Sequence, residues 1–317
     1  MGAYKELASK EEYAALVDRY DTFLFDCDGV IWEGSELIPG AKSVMDKLRA
    51  RGKDIIFVTN NATKSRKDNL KKILDMGIHA EESEIFSSAY ASAVYIKHVL
   101  KFPADRKVYV LGMSGIEHEL AEEGIQTCGG TDPADNQFLP PLDFTALQDE
   151  SAIDPAVGAV LCGFDMHASY IKFAKAFKHL TRPGAEDAEG PRAGEKGGGC
   201  HFLLTNDDST FPAKGGPWPG AGSLSAPLIF STKRKPTIIG KPHKPMLDCI
   251  VEKKHFDRSK AIMIGDRLDT DIEFAINGGI DSLMVLTGIS TKAEIDEKDA
   301  KVVPTYLIKS LGDLDVL

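Results

Sequence analysis

Short apolar runs that stop abruptly in polar or glycine-containing turns constrain this chain more than any other feature. Residues 22–25 stop at Asp26, residues 54–58 run into Thr59-Asn60-Asn61, and residues 107–111 run into Gly112. Residues 237–239 lead into Gly240-Lys241-Pro242, and residues 261–264 into Gly265-Asp266. Each run is long enough for a strand and too short for a helix, and continuous apolarity marks a strand covered on both faces. Helical periodicity separates them, at 41–50, 65–76, 89–100, 246–254 and 271–277. This alternation predicts an α/β protein with a Rossmann-like parallel sheet, whose ligands gather at the carboxyl ends of the strands. Four of those ends carry Asp, Thr/Asn, Lys and Asp.

The middle of the chain has another texture. Residues 130–155 are rich in Asp and Pro, and residues 183–199 are Gly, Pro and charge with almost nothing apolar, so both read as loops. Between and after them, 156–162, 170–180 and 201–204 read as strand, helix and strand. Residues 104–233 are therefore expected to form a smaller α/β domain inserted into a core made of 1–103 and 234–317. A chain of 317 residues with 43% hydrophobic content can bury the two cores this requires.

Charge and cysteine content narrow the function classes. A formal net charge of -10 repels nucleic acid and anionic membrane surfaces, so neither is an expected partner. An anionic substrate must then meet a local cation or a metal. No run of about 18 apolar residues is present, and residues 10–18 read as a polar helix rather than a signal sequence, which predicts a soluble, cytoplasmic protein. The five cysteines are scattered, odd in number and without metal spacing, so no disulfide framework is expected.

The run Asp26-Cys27-Asp28-Gly29-Val30 places two carboxylates one residue apart at a strand end. It can be a turn whose acids bond nearby amides. It can also divide chemistry between them, with Asp26 attacking phosphorus and Asp28 protonating the leaving alkoxide and then activating water. A carboxylate approaching a phosphate dianion is repelled unless a cation intervenes, and hard oxygen ligands with retained waters point to magnesium. The run Gly265-Asp266-Arg267-Leu268-Asp269-Thr270-Asp271 supplies further acid. Asp266 is placed to complete a metal site with Asp26 and the main-chain carbonyl of Asp28. Asp271 would hold metal waters or the catalytic lysine, while Asp269 or Thr270 would suit an N-cap.

Thr59 and Asn60 could cap the helix near residue 65 or donate to phosphate oxygens without adding charge. Lys241 could offset charge on Asp26 and the transferring group, or lie solvated at the surface, with Lys244 its rival. His118-Glu119-Leu120-Ala121-Glu122 lacks the second histidine of a zinc-protease helix, and Gly220-Ala221-Gly222-Ser223 lacks the third glycine of a dinucleotide fingerprint.

Acid pair, Thr/Asn, Lys and second acid cluster, in that order, resemble the haloacid dehalogenase superfamily over nearly the whole chain. The segments DCDGVIW, FVTNNATKSR, WPGAGSL, IIGKP and IMIGDRLDTDI are similar to its eukaryotic phosphoglycolate phosphatase and p-nitrophenylphosphatase group. The resemblance implies Asp26 as nucleophile, Asp28 as acid and base, and Thr59, Asn60 and Lys241 on the phosphate. It implies Mg2+ at Asp26, Asp28 and Asp266. It also implies that the insert is a cap that selects a small phosphorylated metabolite, 2-phosphoglycolate first and pyridoxal 5′-phosphate second, and forms a homodimer. At Phe211 the pyridoxal phosphate phosphatases carry histidine, which weighs against that second substrate. A protein that only holds phosphate is the remaining alternative, and Asp28 and Lys241 speak against it.

Overall fold

The computed structural model describes residues 4–136, 153–185, 199–211 and 215–316. Parts of the two expected loops, 137–152 and 186–198, lie outside the described residues. Contacts divide the chain into one unit of residues 1–59, 66–87 and 241–317, and a second of residues 60–65 and 88–240.

The first unit is built on a seven-stranded sheet in which every pairing is parallel. Its order is Lys5–Glu6, Tyr306–Ile308, Asp281–Val285, Ala261–Gly265, Thr22–Phe25, Asp54–Thr59, Ile85–Ser87. All four residues of Thr22–Phe25 are buried, as continuous apolarity requires of a central parallel strand. Phe23, Phe25, Phe57, Ile262 and Ile264 join one face of the sheet to Leu16, Val17, Val44, Met45 and Leu48 from helices Lys10–Arg19 and Ala41–Ala50. Ser9 opens the first of these helices with a capping box to Glu12. Ile272, Met284, Ile295 and Leu307 form a separate cluster.

Register brings the strand ends together. Phe25 lies opposite both Ile264 and Phe57, so Asp26, Asp266 and Thr59 emerge at one edge from three adjacent strands. Parallel pairing is the reason: it points the carboxyl ends the same way.

The second unit has its own parallel sheet, ordered Thr237–Ile238, His201–Leu204, Val157–Cys162, Lys107–Leu111, Gln126–Gly129. Ala89, Ala93, Ile116 and Leu120 pack with Val108, Val110 and Leu161, and Ala176, Leu180 and Leu228 with Val160, Cys162 and Leu204. This unit begins its main segment at residue 88, ahead of the boundary expected at 104, because helix Ser88–Val94 buries its small side chains in that first cluster. At the other end, residues 237–239 were expected in the core. Instead Thr237–Ile238 is the edge strand of the second sheet, pairing Leu203 with Thr237 and Leu204 with Ile238. Apolarity marks a buried strand without marking which sheet receives it.

Candidate active site

Asp26 leaves the buried strand Thr22–Phe25, and its amide donates to the Ile264 carbonyl at 2.9 Å, so the neighbouring strand fixes its backbone. The chain then turns at Gly29, whose φ is +81°, and the Gly29 amide donates to Trp32 O at 2.7 Å. A side chain at Gly29 would be strained at that φ and its Cβ would stand 2.7 Å from Asp266 Oδ2. Asp266 sits after Gly265, 2% exposed, and its Oδ2 accepts the Ile289 amide at 2.8 Å. On that side the fit is closer still, because a Cβ at Gly288 would lie 1.8 Å from the same oxygen. The loop after strand Asp281–Val285 thus closes over Asp266.

Lys241 comes from the loop before helix Lys244–Lys254 rather than from a strand end of the seven-stranded sheet. It is 2% exposed and its ammonium donates to Asp26 Oδ1 at 2.5 Å, Asp271 Oδ1 at 2.7 Å and Val58 O at 3.2 Å. Its rival Lys244 is exposed and paired with Asp248 at 3.3 Å. Asp271 lies in a π-helical turn, Leu268–Ile272, and of the two roles open to it takes that of holding the lysine. Its Oδ2 accepts the amides of Asp266 and Arg267 at 3.2 and 3.1 Å, while Oδ1 holds the lysine. Asp269 faces outward and pairs with Arg267.

Three carboxylates, Asp26, Asp266 and Asp271, can bring oxygens within 4.8 Å of one another, and one ammonium faces them. The electrostatics follow from that imbalance. Burial raises the Asp26 carboxyl well above the usual carboxylate range; Lys241 pulls it back, and Asp271 and Asp266 push it further up. Burial, reinforced by Asp271, pushes Asp266 up to about 7. Burial opposes the charge on Lys241, yet attraction to Asp26 and Asp271 outweighs it and holds the ammonium above the ordinary lysine range. Buried oxygen donors carrying a formal excess of negative charge fit a hard divalent cation.

Asp28 is half-exposed, and its Oδ1 accepts the Trp32 indole N–H at 2.8 Å. Thr59 is buried at the end of its strand. Asn60 belongs to the second unit, where its amide donates to both Asp208 oxygens at 3.1 Å and its carbonyl accepts from Asn206 and Ser88. Cys27 is buried, and burial with the charges of Asp26 and Asp28 drives its thiol well up, which disfavours the thiolate. All five cysteines are free.

Sequence reasoning passed over Trp32, Lys72 and the Gly288-Ile289 loop. The last had a signal, since strand Asp281–Val285 also ends in a polar turn, Leu286-Thr287-Gly288. No helix among the described residues is long and apolar enough to cross a membrane.

A haloacid dehalogenase-like hydrolase family model matches residues 23–126, and a second model for HAD-like hydrolases matches residues 238–314. The chain is 50% identical over 311 residues to a 4-nitrophenylphosphatase of Schizosaccharomyces pombe, covering 98% of each chain. It is 39% identical over 299 residues to phosphoglycolate phosphatase 1A of Arabidopsis thaliana, covering 94% of this chain and 77% of that one. The crystal structure of a Thermotoga maritima 4-nitrophenylphosphatase superposes with a TM-score of 0.74 at 28% identity, covering 95% of this chain and 98% of that one. Family matches at both ends of the chain, full-length similarity and a shared fold agree with the acid and lysine constellation: the chain belongs to the haloacid dehalogenase-like hydrolases.

Proposed function

We propose that the chain is a magnesium-dependent phosphomonoesterase of small phosphorylated metabolites, with 2-phosphoglycolate its foremost substrate and p-nitrophenyl phosphate a substrate in vitro. The observation that carries this reading is Asp26, held 2.5 Å from a buried ammonium and within reach of two further buried carboxylates. A nucleophilic carboxylate that must approach an anion needs positive charge beside it, which Lys241 supplies in part and a cation held by the neighbouring carboxylates would complete. The names of the S. pombe and A. thaliana relatives supply the substrate classes.

In this reading an Asp26 oxygen forms a bond to phosphorus as the bond to the leaving oxygen breaks, giving an aspartyl-phosphate. Asp28 delivers a proton to the leaving oxygen, then takes one from the water that cleaves the acyl-phosphate. Lys241 neutralises charge on Asp26 and the transferring group, and Asp271 holds Lys241 in place. Asp26, Asp266 and the main-chain carbonyl of Asp28 would hold Mg2+. When bound, that ion would offset the charge of the carboxylates and phosphate and act as a Lewis acid toward the phosphoryl group. Thr59 and Asn60 would donate to phosphate oxygens.

The second unit would act as the substrate-selecting cap and as the surface of a cytoplasmic homodimer. Met166, Tyr170, Trp218 and Phe230 are exposed on that unit, and light scattering of the purified protein tests the dimer. Phe211 packs edge-on against Phe164 at 5.2 Å, an apolar pair where a pyridoxal phosphate enzyme of this group would present histidine. Comparing kcat/KM for 2-phosphoglycolate, pyridoxal 5′-phosphate and p-nitrophenyl phosphate tests the reading. Preference for the first supports it; preference for pyridoxal 5′-phosphate replaces the substrate, and absence of turnover on all three overturns the activity.

A further inference from the structure

The mechanism gives Asp28 a proton to deliver without saying which of its oxygens carries it. Among the described residues, two side chains converge on one of them, Oδ1. The indole N–H of Trp32 donates to Asp28 Oδ1 at 2.8 Å, and the Lys72 ammonium stands 3.9 Å from the same oxygen. Lys72 also lies over the Trp32 ring, 4.2 Å from its centroid.

These groups come from separate elements. Trp32 opens a short antiparallel ribbon, Trp32–Glu33 with Glu36–Leu37, and is 4% exposed. Its amide donates to Cys27 O at 3.2 Å and its carbonyl accepts from Gly29 N at 2.7 Å, so the backbone that carries Asp28 is tied at both sides to Trp32. Lys72 projects from helix Arg66–Asp75. An indole N–H and an ammonium are both donors without acceptor capacity. Neither can accept a proton from Oδ1: the indole holds that oxygen as a hydrogen-bond acceptor, and the ammonium favours negative charge on it from ion-pair distance.

We propose that Trp32 and Lys72 are positioning residues that commit Asp28 Oδ1 to the indole hydrogen bond and the ion pair, leaving Oδ2 as the oxygen that carries the proton to and from the phosphoester. Without them the carboxyl rotates and exchanges its oxygens, so the productive proton position is diluted among others. The inference rests on the acid–base role given to Asp28 above. The step stays balanced: the P–O bond to the leaving group breaks with its electron pair on the leaving oxygen, and the Oδ2 proton joins that pair. Lys72 contributes by holding the indole face and by placing positive charge at ion-pair distance from Oδ1.

The test uses leaving groups of different basicity. An alkoxide such as that of 2-phosphoglycolate must be protonated as it departs, whereas 4-nitrophenolate departs readily as an anion, so help from Asp28 matters far more for the first. Because kcat/KM reports steps through phosphoryl transfer, it isolates this event from aspartyl-phosphate hydrolysis. Trp32→Phe keeps an apolar ring and deletes the N–H. It should lower kcat/KM for 2-phosphoglycolate by about tenfold while changing that for p-nitrophenyl phosphate by less than about threefold. Lys72→Met, at a partly exposed position, should shift the ratio the same way by a smaller factor. This second variant keeps the idea testable if Trp32→Phe folds poorly. In an Asp28→Asn background, Trp32→Phe should change the ratio no further.

Equal losses on both substrates would mark Trp32 as structural and overturn the proposal, as would an unchanged ratio in both variants. Wild-type protein that cleaves neither substrate would overturn the phosphatase reading itself. Wild-type protein that cleaves both, with variants at the wild-type ratio, would overturn only the assignment of the Asp28 oxygens.

Discussion

Lys241 places its ammonium 2.5 Å from Asp26 Oδ1 although 215 residues separate the two in the chain. Asp271 holds the other side of that ammonium, so the lysine is shared between the proposed nucleophile and a second buried acid. Removing either end has different consequences. Asp26→Asn should lower kcat for p-nitrophenyl phosphate by at least about a thousandfold, because an amide cannot form the acyl-phosphate. Lys241→Met should lower kcat by about a hundredfold or more and also destabilise the fold by about 3 kcal/mol, since it leaves buried carboxylates unpaired. Steady-state kinetics beside urea denaturation separates the two effects; near-normal turnover in either variant excludes the roles assigned.

Gly288 is required by space. A Cβ there would stand 1.8 Å from Asp266 Oδ2, and the same oxygen already holds the Ile289 amide. Gly288→Ala should push the carboxylate aside and raise the half-activating Mg2+ concentration by about tenfold, with a smaller change in kcat at saturating metal. A magnesium titration of activity reads this directly. An unchanged titration would mean that Asp266 is not a ligand.

The surplus of negative charge around Lys241 predicts how metal and pH interact. Chelation should abolish activity, and Mg2+ should restore it. In metal-free protein Asp266 is pushed up to about 7 from an ordinary 3.8, so the folded state binds the proton more tightly than the unfolded state. Its contribution to stability is therefore fully present below about 4 and is lost as pH rises through about 7. Asp266→Asn should then stabilise the metal-free protein at pH 8, and this advantage should vanish at saturating Mg2+. Thermal melts of both proteins with chelator and with Mg2+ provide the comparison; destabilisation by Asp266→Asn under chelator would contradict it.

The second unit titrates with the opposite sign. His179 is 2% exposed, rests against Tyr109 with ring centroids 5.2 Å apart, and its Nδ1 has no hydrogen-bond partner among the described residues. Burial, helped by Arg182, lowers its pKa from 6.5 to about 4. The unfolded chain binds the proton more readily, so this stability is fully present above pH 6.5 and falls away as pH drops through about 4. His179→Phe should remove about 3 kcal/mol of that acid sensitivity. Stability curves between pH 7 and 4.5 that keep the wild-type slope in the variant would rule this out.

Much of the candidate site's placement was legible in the sequence because it follows from strand ends. Thr22–Phe25 has the same limits in sequence and structure, and its parallel neighbours bring Asp26, Asp266 and Thr59 to one edge without further information. Other relationships were invisible for a physical reason. Apolarity predicts burial over residues 237–239 and says nothing of which sheet they join; Thr237–Ile238 is a half-buried edge strand of the second, and only Ile239 is fully buried. Asn60 follows the same strand as Thr59, yet its amide is engaged by Asp208 of the second unit, 148 residues away.

The acidic turn, the strand that carries it and the chemical types needed for phosphoryl transfer are written in local sequence, because local sterics and burial pattern are short-range. Which acid holds the lysine, which glycine admits Asp266 and which cation stands beside Asp28 were decided only by tertiary structure. Lys241 with Asp271, Gly288 with Asp266 and Lys72 with Asp28 meet through packing across distant segments. Hydrogen bonds and close contacts act over a few ångströms in space, and no spacing along the chain encodes that proximity.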